Sequence, residues 1–107
     1  MILWHHDDDQ YACATLEVAL EVSDLPCAGR RVEVKQYLID EKHSNSHTAW
    51  RELGAPQDPS PEDVEAIRKR SMLELVHEEG LESCPSSLSS RVRLACPGAL
   101  LTLVTPV

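Results

Sequence analysis

Phenylalanine is absent from this chain, and its aromatic side chains are two Trp and two Tyr, at Trp4, Tyr11, Tyr37 and Trp50. Stacking of bases or sugar rings needs exposed aromatic faces, so a base- or carbohydrate-binding platform has little to be built from. Basic residues are also few. Lys and Arg number 10 against 18 Asp and Glu, a formal charge of -8. Phosphate backbones and anionic lipid surfaces are held by clusters of Lys and Arg, so neither nucleic acid nor membrane is an expected partner. No apolar run approaches the roughly 20 residues of a membrane span; the longest, residues 99–104, is interrupted by Thr102. The opening MILW runs straight into His and Asp, without the apolar stretch and small-residue cleavage site of a leader. The sequence therefore predicts a soluble, cytoplasmic chain, and any signal of a longer precursor would lie upstream of Met1.

Cys13, Cys27, Cys84 and Cys96 show no C-x-x-C spacing, so a tetrahedral zinc site is not expected. Four reduced, inert thiols are the expectation, with one or two disulfides as the alternative. Cys13 and Cys96 fall in strand-like segments, where a free Cys behaves as a small buried hydrophobe.

What is present is alternation. With 107 residues, 42% of them hydrophobic, the chain forms one domain with a modest core. Residues 13–22 set Leu16, Val18, Leu20 and Val22 on one face and Glu17, Ala19 and Glu21 on the other, which reads as a half-buried antiparallel strand. Residues 31–39 repeat this with Val32, Val34 and Leu38 inward and Arg31, Glu33 and Lys35 outward. These two strands are expected to pair in one sheet, with Glu17 or Glu21 opposite Arg31 or Lys35. Between them, Ser23, Asp24, Pro26 and Gly29 carry turn chemistry. Residues 72–76 form a short strand closed by HEEG at 77–80, and residues 83–90 form a mobile Ser- and Pro-rich loop. Residues 91–96 and 99–104, joined by Pro97 and Gly98, form a C-terminal hairpin. Met1 and its neighbours open an apolar strand that leads into a polar hairpin loop, HHDDDQ.

The pattern breaks once, over residues 39–61, IDEKHSNSHTAWRELGAPQDPSP. Ser44 and Ser46 can cap a helix, since a serine oxygen accepts a backbone N–H that the first turn leaves unpaired. Ala49, Trp50 and Leu53 share a face, and Gly54 supplies a left-handed stop. Ser60, Pro61, Glu62 and Asp63 then start a second helix with a cap, a proline at the first helical position and acids at the positive dipole end. The product is a helix-loop-helix, residues 44–71, inserted among strands. Five or six strands with short connections predict a mainly β fold, an antiparallel β-sandwich lacking strands for completeness, with an exposed sheet edge through which copies could pair.

The string IDEKHSN, then TAW, then RELGAPQDPSPED closely resembles the C-terminal part of family 39 glycoside hydrolases, the bacterial β-xylosidases and their relative α-L-iduronidase. The opening WHHDDD resembles an aromatic, His- and Asp-rich hairpin of the same region, and the likeness covers nearly the whole chain, from Ile2 to Val104. It implies that residues 1–107 are a single non-catalytic β-sandwich module of a β-xylosidase-like enzyme, preceded by a (β/α)8 barrel. It also implies that the module packs on that barrel, with Asp40, Glu41, His43, Ser44, Asn45 and Trp50 as candidates for the barrel interface or for the border of a xylo-oligosaccharide site. No cofactor is implied. The alternatives are a standalone carbohydrate- or protein-binding module and an inactive gene fragment.

Catalytic chemistry does not fit this chain. Retaining glycosidases use two carboxylates about 5 Å apart, and the resemblance places both on the barrel; no stretch here matches the Asn-Glu-Pro surroundings of the acid/base, so no catalytic residue is assigned. His5, His6, Asp7, Asp8 and Asp9 read as a solvated turn rather than a metal site, because neighbours on an extended chain point to opposite faces. His43 and His47 have helical spacing but no H-E-x-x-H context. Asp24 and Asp40 near Ser lack a Gly-x-Ser-x-Gly elbow. The acidic balance, and an expected lack of basic residues near the insertion, favour neutral xylosides over a uronate for the parent.

Overall fold

The computed structural model describes residues 1–9 and 14–107. Its elements are β1 (Ile2–His5), β2 (Leu16–Val22), β3 (Val32–Ile39), α1 (Ser46–Glu52), α2 (Pro61–Arg70), β4 (Glu74–Leu81), β5 (Leu88–Leu94) and β6 (Gly98–Pro106). The strands form a four-stranded antiparallel sheet of order β1-β6-β3-β4 and a two-stranded sheet of β2 and β5. The expected mainly β fold with an inserted helix-loop-helix is what the chain adopts. None of the described helices is long and apolar enough to cross a membrane.

Strand pairing departs from expectation in three places. β2 and β3 do not pair: Glu17 lies opposite Arg93 and Glu21 opposite Ser89, on β5, while β3 runs between β4 and β6. β5 and β6 form no hairpin either, because the chain crosses between sheets through Ala95–Pro97, with a cis Cys96–Pro97 peptide. Nor do β1 and β2 form one, since they belong to different sheets. The opening loop is described as far as Asp9; Gln10, Tyr11 and Cys13 lie outside the described residues. A period of two records which face of a strand is buried and is silent about its neighbour.

HEEG, expected to close a strand, and the last three residues of the loop expected over 83–90 are strand, while residues 82–87 are a loop. HEEG at 77–80 continues β4, where Lys35 faces Glu78 and Glu33 faces Gly80. β4 is an edge strand with almost every residue exposed, so charged side chains need not end it, and they discourage further edge pairing. Ser89 and Ser90 belong to β5 and face Glu21 and Leu20.

Between the sheets lies a cavity of about 720 Å³, lined by Leu20, Val22, Leu88 and Leu94 from one sheet and Val34, Leu38, Leu100 and Val104 from the other. Gln36 reaches across it. Buried at 8% exposure, its Nε2 donates to Ser90 Oγ at 3.4 Å and to Thr102 Oγ1 at 3.2 Å, so a polar side chain on the inward row of β3 joins both sheets. Beside the cavity Cys27, Val32, Val34 and Cys84 are buried in one cluster against Leu25, Leu81, Leu88 and Val104. Burying each such aliphatic side chain contributes about 1.5–3 kcal/mol.

The molecule is open. Its radius of gyration is 17.2 Å, against about 13 Å for a compact chain of this length. Its accessible surface is 7657 Å², where a folded monomer of this mass shows roughly 6,000 Å².

Candidate functional site

Leaving β3, the chain makes a tight turn governed by Asp40. Its Oδ1 accepts from the backbone N–H groups of Lys42 and His43 and from His43 Nδ1, each at 2.8 Å, and its carbonyl accepts from Asn45 Nδ2 at 3.1 Å. Ser44 sits in the left-handed region with φ 54, which aims its hydroxyl away from the helix. Ser44 Oγ donates to the Leu38 carbonyl at 2.7 Å and accepts from Glu74 N–H at 2.8 Å, tying the end of β3 to the start of β4. The cap of α1 is consequently Asn45, which accepts from Thr48 N–H at 3.2 Å. Neither Ser44 nor Ser46 serves as expected; Ser46 is already in the helix.

The remaining candidates are dispersed. Thr48 Oγ1 donates to the Glu41 carbonyl, while the Glu41 carboxylate is exposed and 3.8 Å from Arg51. Trp50 is half-buried; its Nε1 donates to the Pro56 carbonyl at 2.9 Å and its ring lies 5.5 Å from that of His47, tilted by 33°. Gly54 closes α1 with φ 90, as its position in the sequence predicts, with its N–H donating to the Arg51 carbonyl. α2 also begins as predicted. Ser60 and Asp63 form a reciprocal capping box with Pro61 at the first helical position. Of the six candidates, Asp40, His43, Ser44 and Asn45 are thus brought together in one turn, whereas Glu41 and Trp50 engage other partners. All but the Glu41 carboxylate make the hydrogen bonds that hold the insertion in place.

A hollow of about 380 Å³ lies beside this turn, lined by Lys42, His43, Lys69, Arg70, Met72, Leu73 and Glu74. Arg70 spans it, 3.0 Å from Glu52 and donating to the Lys42 carbonyl at 3.3 Å. The expectation that basic residues are lacking near the insertion is incorrect: Lys42, Arg51, Arg68, Lys69 and Arg70 lie in or beside it in the sequence, and folding brings Lys42, Lys69 and Arg70 to one hollow. The signal is the Arg-Lys-Arg run at the end of α2, which complements the negative end of the helix dipole and of which Lys69 and Arg70 line the hollow beside the turn. Met72 and Leu73 expose 69% and 46% of their surface, leaving an apolar patch against a cationic rim. Among the described residues no three His, Cys, Asp or Glu side chains gather as a metal site would require.

The expectation of reduced thiols also needs correction, because Cys96 is disulfide-bonded. Cys27 and Cys84 are free and buried.

No protein-family model matches the sequence, and no curated protein matches it. Solved structures do. A GH39 enzyme from Xanthomonas axonopodis pv. citri superposes with a TM-score of 0.83 at 10% identity, covering 99% of this chain and 23% of that one. A bacterial orthologue of human α-L-iduronidase gives 0.79 at 20% identity, covering 100% and 22%. A monomeric β-xylosidase from Caulobacter crescentus CB15 gives 0.70 at 12% identity, covering 99% and 24%. The chain spans less than a quarter of the length of each of these structures. Its fold is that of a region within glycosidases, a GH39 enzyme among them, the group that its motifs resemble.

Proposed function

We propose that this chain is the C-terminal, non-catalytic module of a β-xylosidase-like glycoside hydrolase, packed on an upstream (β/α)8 barrel that carries both catalytic carboxylates. The fold match over the whole chain to a minor part of three glycosidases carries this reading. Its surface supports it: about 1,700 Å² beyond that of a compact monomer is of the order that a stable interface covers. The patch of Met72 and Leu73, next to the Asp40–Asn45 turn, is the face we assign to the barrel. That turn is rigid through its own hydrogen bonds, which suits it to border a site without taking part in the chemistry.

The parent's activity is retaining hydrolysis of terminal β-xylosides. Lys42, Lys69 and Arg70 line one hollow, so charge does not single out a neutral sugar, and an iduronidase-like uronate substrate is the second reading that this cluster favours. A disulfide at Cys96 also suits an oxidising compartment better than the cytoplasm.

The test is the full gene product, assayed on an aryl β-xyloside and an aryl iduronide, beside the double variant Met72→Asp/Leu73→Asp. Hydrolysis of the xyloside with a lower inactivation temperature in the variant is expected. Unchanged thermal inactivation would remove the assigned interface, and turnover of the iduronide alone would replace the substrate.

A further inference from the structure

Cys27 lies in the crossover from β2 to β3 and Cys84 in the crossover from β4 to β5, 57 residues apart, and their Sγ atoms are 3.4 Å from each other in the core. Both crossovers connect the four-stranded and two-stranded sheets and run side by side. Their backbones are already joined: Gly29 N–H donates to the Cys84 carbonyl at 2.7 Å, Cys84 N–H to the Arg30 carbonyl at 2.7 Å, and Leu25 N–H to the Ser86 carbonyl at 3.2 Å. Two cysteines held by direct hydrogen bonds between their segments have little freedom to separate. We propose that Cys27 and Cys84 are a cross-linking site, closing to a disulfide that staples the two sheet-to-sheet crossovers and encloses β3, the helix-loop-helix and β4 in one covalent ring.

The sulfurs need to approach by little more than 1 Å to reach a bonded separation of about 2.05 Å. A low-molecular-weight disulfide supplies the oxidation. One Cys thiolate attacks a sulfur of the reagent, forming a mixed disulfide and releasing one reagent thiolate; the second Cys thiolate then attacks the protein sulfur of that mixed disulfide and releases the other. Two Cys thiols and one reagent disulfide become one protein disulfide and two reagent thiols, with the cysteine protons passing to the released thiolates. Burial, and then the hydrogen bond with Cys27, push the Cys84 thiol above its ordinary range, so closure belongs to folding, before the core seals, and runs faster at higher pH. The same oxidising conditions suit the disulfide at Cys96. The inference does not depend on the parent's substrate.

Peptide mapping tests it on the full gene product, made once in an oxidising secretory compartment and once in excess thiol, then denatured in alkylating agent and digested without reductant. A peptide pair joining Cys27 to Cys84 in the first sample and absent from the second is expected, and Cys27→Ser leaves Cys84 fully alkylated. Hydrogen exchange at Gly29, Arg30 and Cys84 is expected to speed up on the order of tenfold or more when the bond is reduced. Alkylation of both residues in the oxidised sample, or either one joined to a different cysteine, would overturn the proposal.

Discussion

The Asp40 carboxylate holds the His43 imidazole at 2.8 Å and, through the same oxygen, the backbone N–H of His43 at 2.8 Å. One acceptor thus fixes both the main chain and the side chain of a residue three positions on, and the turn that positions the helix-loop-helix is pinned at a single atom. Asp40 retains only 11% side-chain exposure, so water cannot readily replace it. Replacing Asp40 by Ala removes the shared acceptor of the Lys42 and His43 N–H groups, the latter part-buried, and is expected to cost about 1–3 kcal/mol. Denaturant unfolding measures this, and an unchanged midpoint would show that the turn is held by other contacts.

Trp50 contributes through its ring and its indole N–H separately. Trp50→Phe removes the bond to the Pro56 carbonyl while keeping an aromatic ring against His47, at an expected cost of about 1 kcal/mol. Trp50→Ala removes both, and about 3 kcal/mol is expected, the lower end for truncation of a large aromatic because the ring is only half-buried. Thermal unfolding of the two variants should rank them in that order. Equal losses would mean that the hydrogen bond, rather than the packing, holds the connection between α1 and α2.

Lys35 lies 3.4 Å from Glu33 and 3.7 Å from Glu78. The hydrogen bond and charge of Glu33, then the charge of Glu78, raise its pKa above the ordinary value of 10.5 against the opposing effect of burial. Because the folded pKa is the higher, the stabilisation is complete below the unfolded value and disappears as pH rises through the folded one. The stability difference between wild type and Lys35→Met is therefore expected to be flat below the ordinary Lys value of 10.5 and to fall away as pH rises through the raised folded value. A difference that persists at high pH would assign it to packing of the Lys35 stem.

Local chemistry was legible in the sequence and pairing was not. The capping box at Ser60 and the stop at Gly54 depend on residues within one helical turn, and both stand where the sequence puts them. β2 and β3 alternate alike yet lie in different sheets, because the neighbour of each is chosen by distant crossovers. β4 runs past the end of its alternation because an exposed edge strand need not alternate, and HEEG by itself reads as a loop. In the candidate turn, Ser44 is a good cap by composition, but its left-handed backbone directs the hydroxyl to Leu38 and Glu74. Nothing in the spacing of Cys27 and Cys84, or of Lys42 and Lys69, indicates that they meet; only the folded crossovers and the returning helix bring them together.

The mass of the native gene product, by immunoblot and intact mass spectrometry from the source cells, tests the accessory-module assignment most directly. A barrel alone takes roughly 250 residues, so a product several times heavier than 11.9 kDa is predicted. A product of 11.9 kDa would contradict the assignment, leaving a free-standing protein with no barrel to pack on.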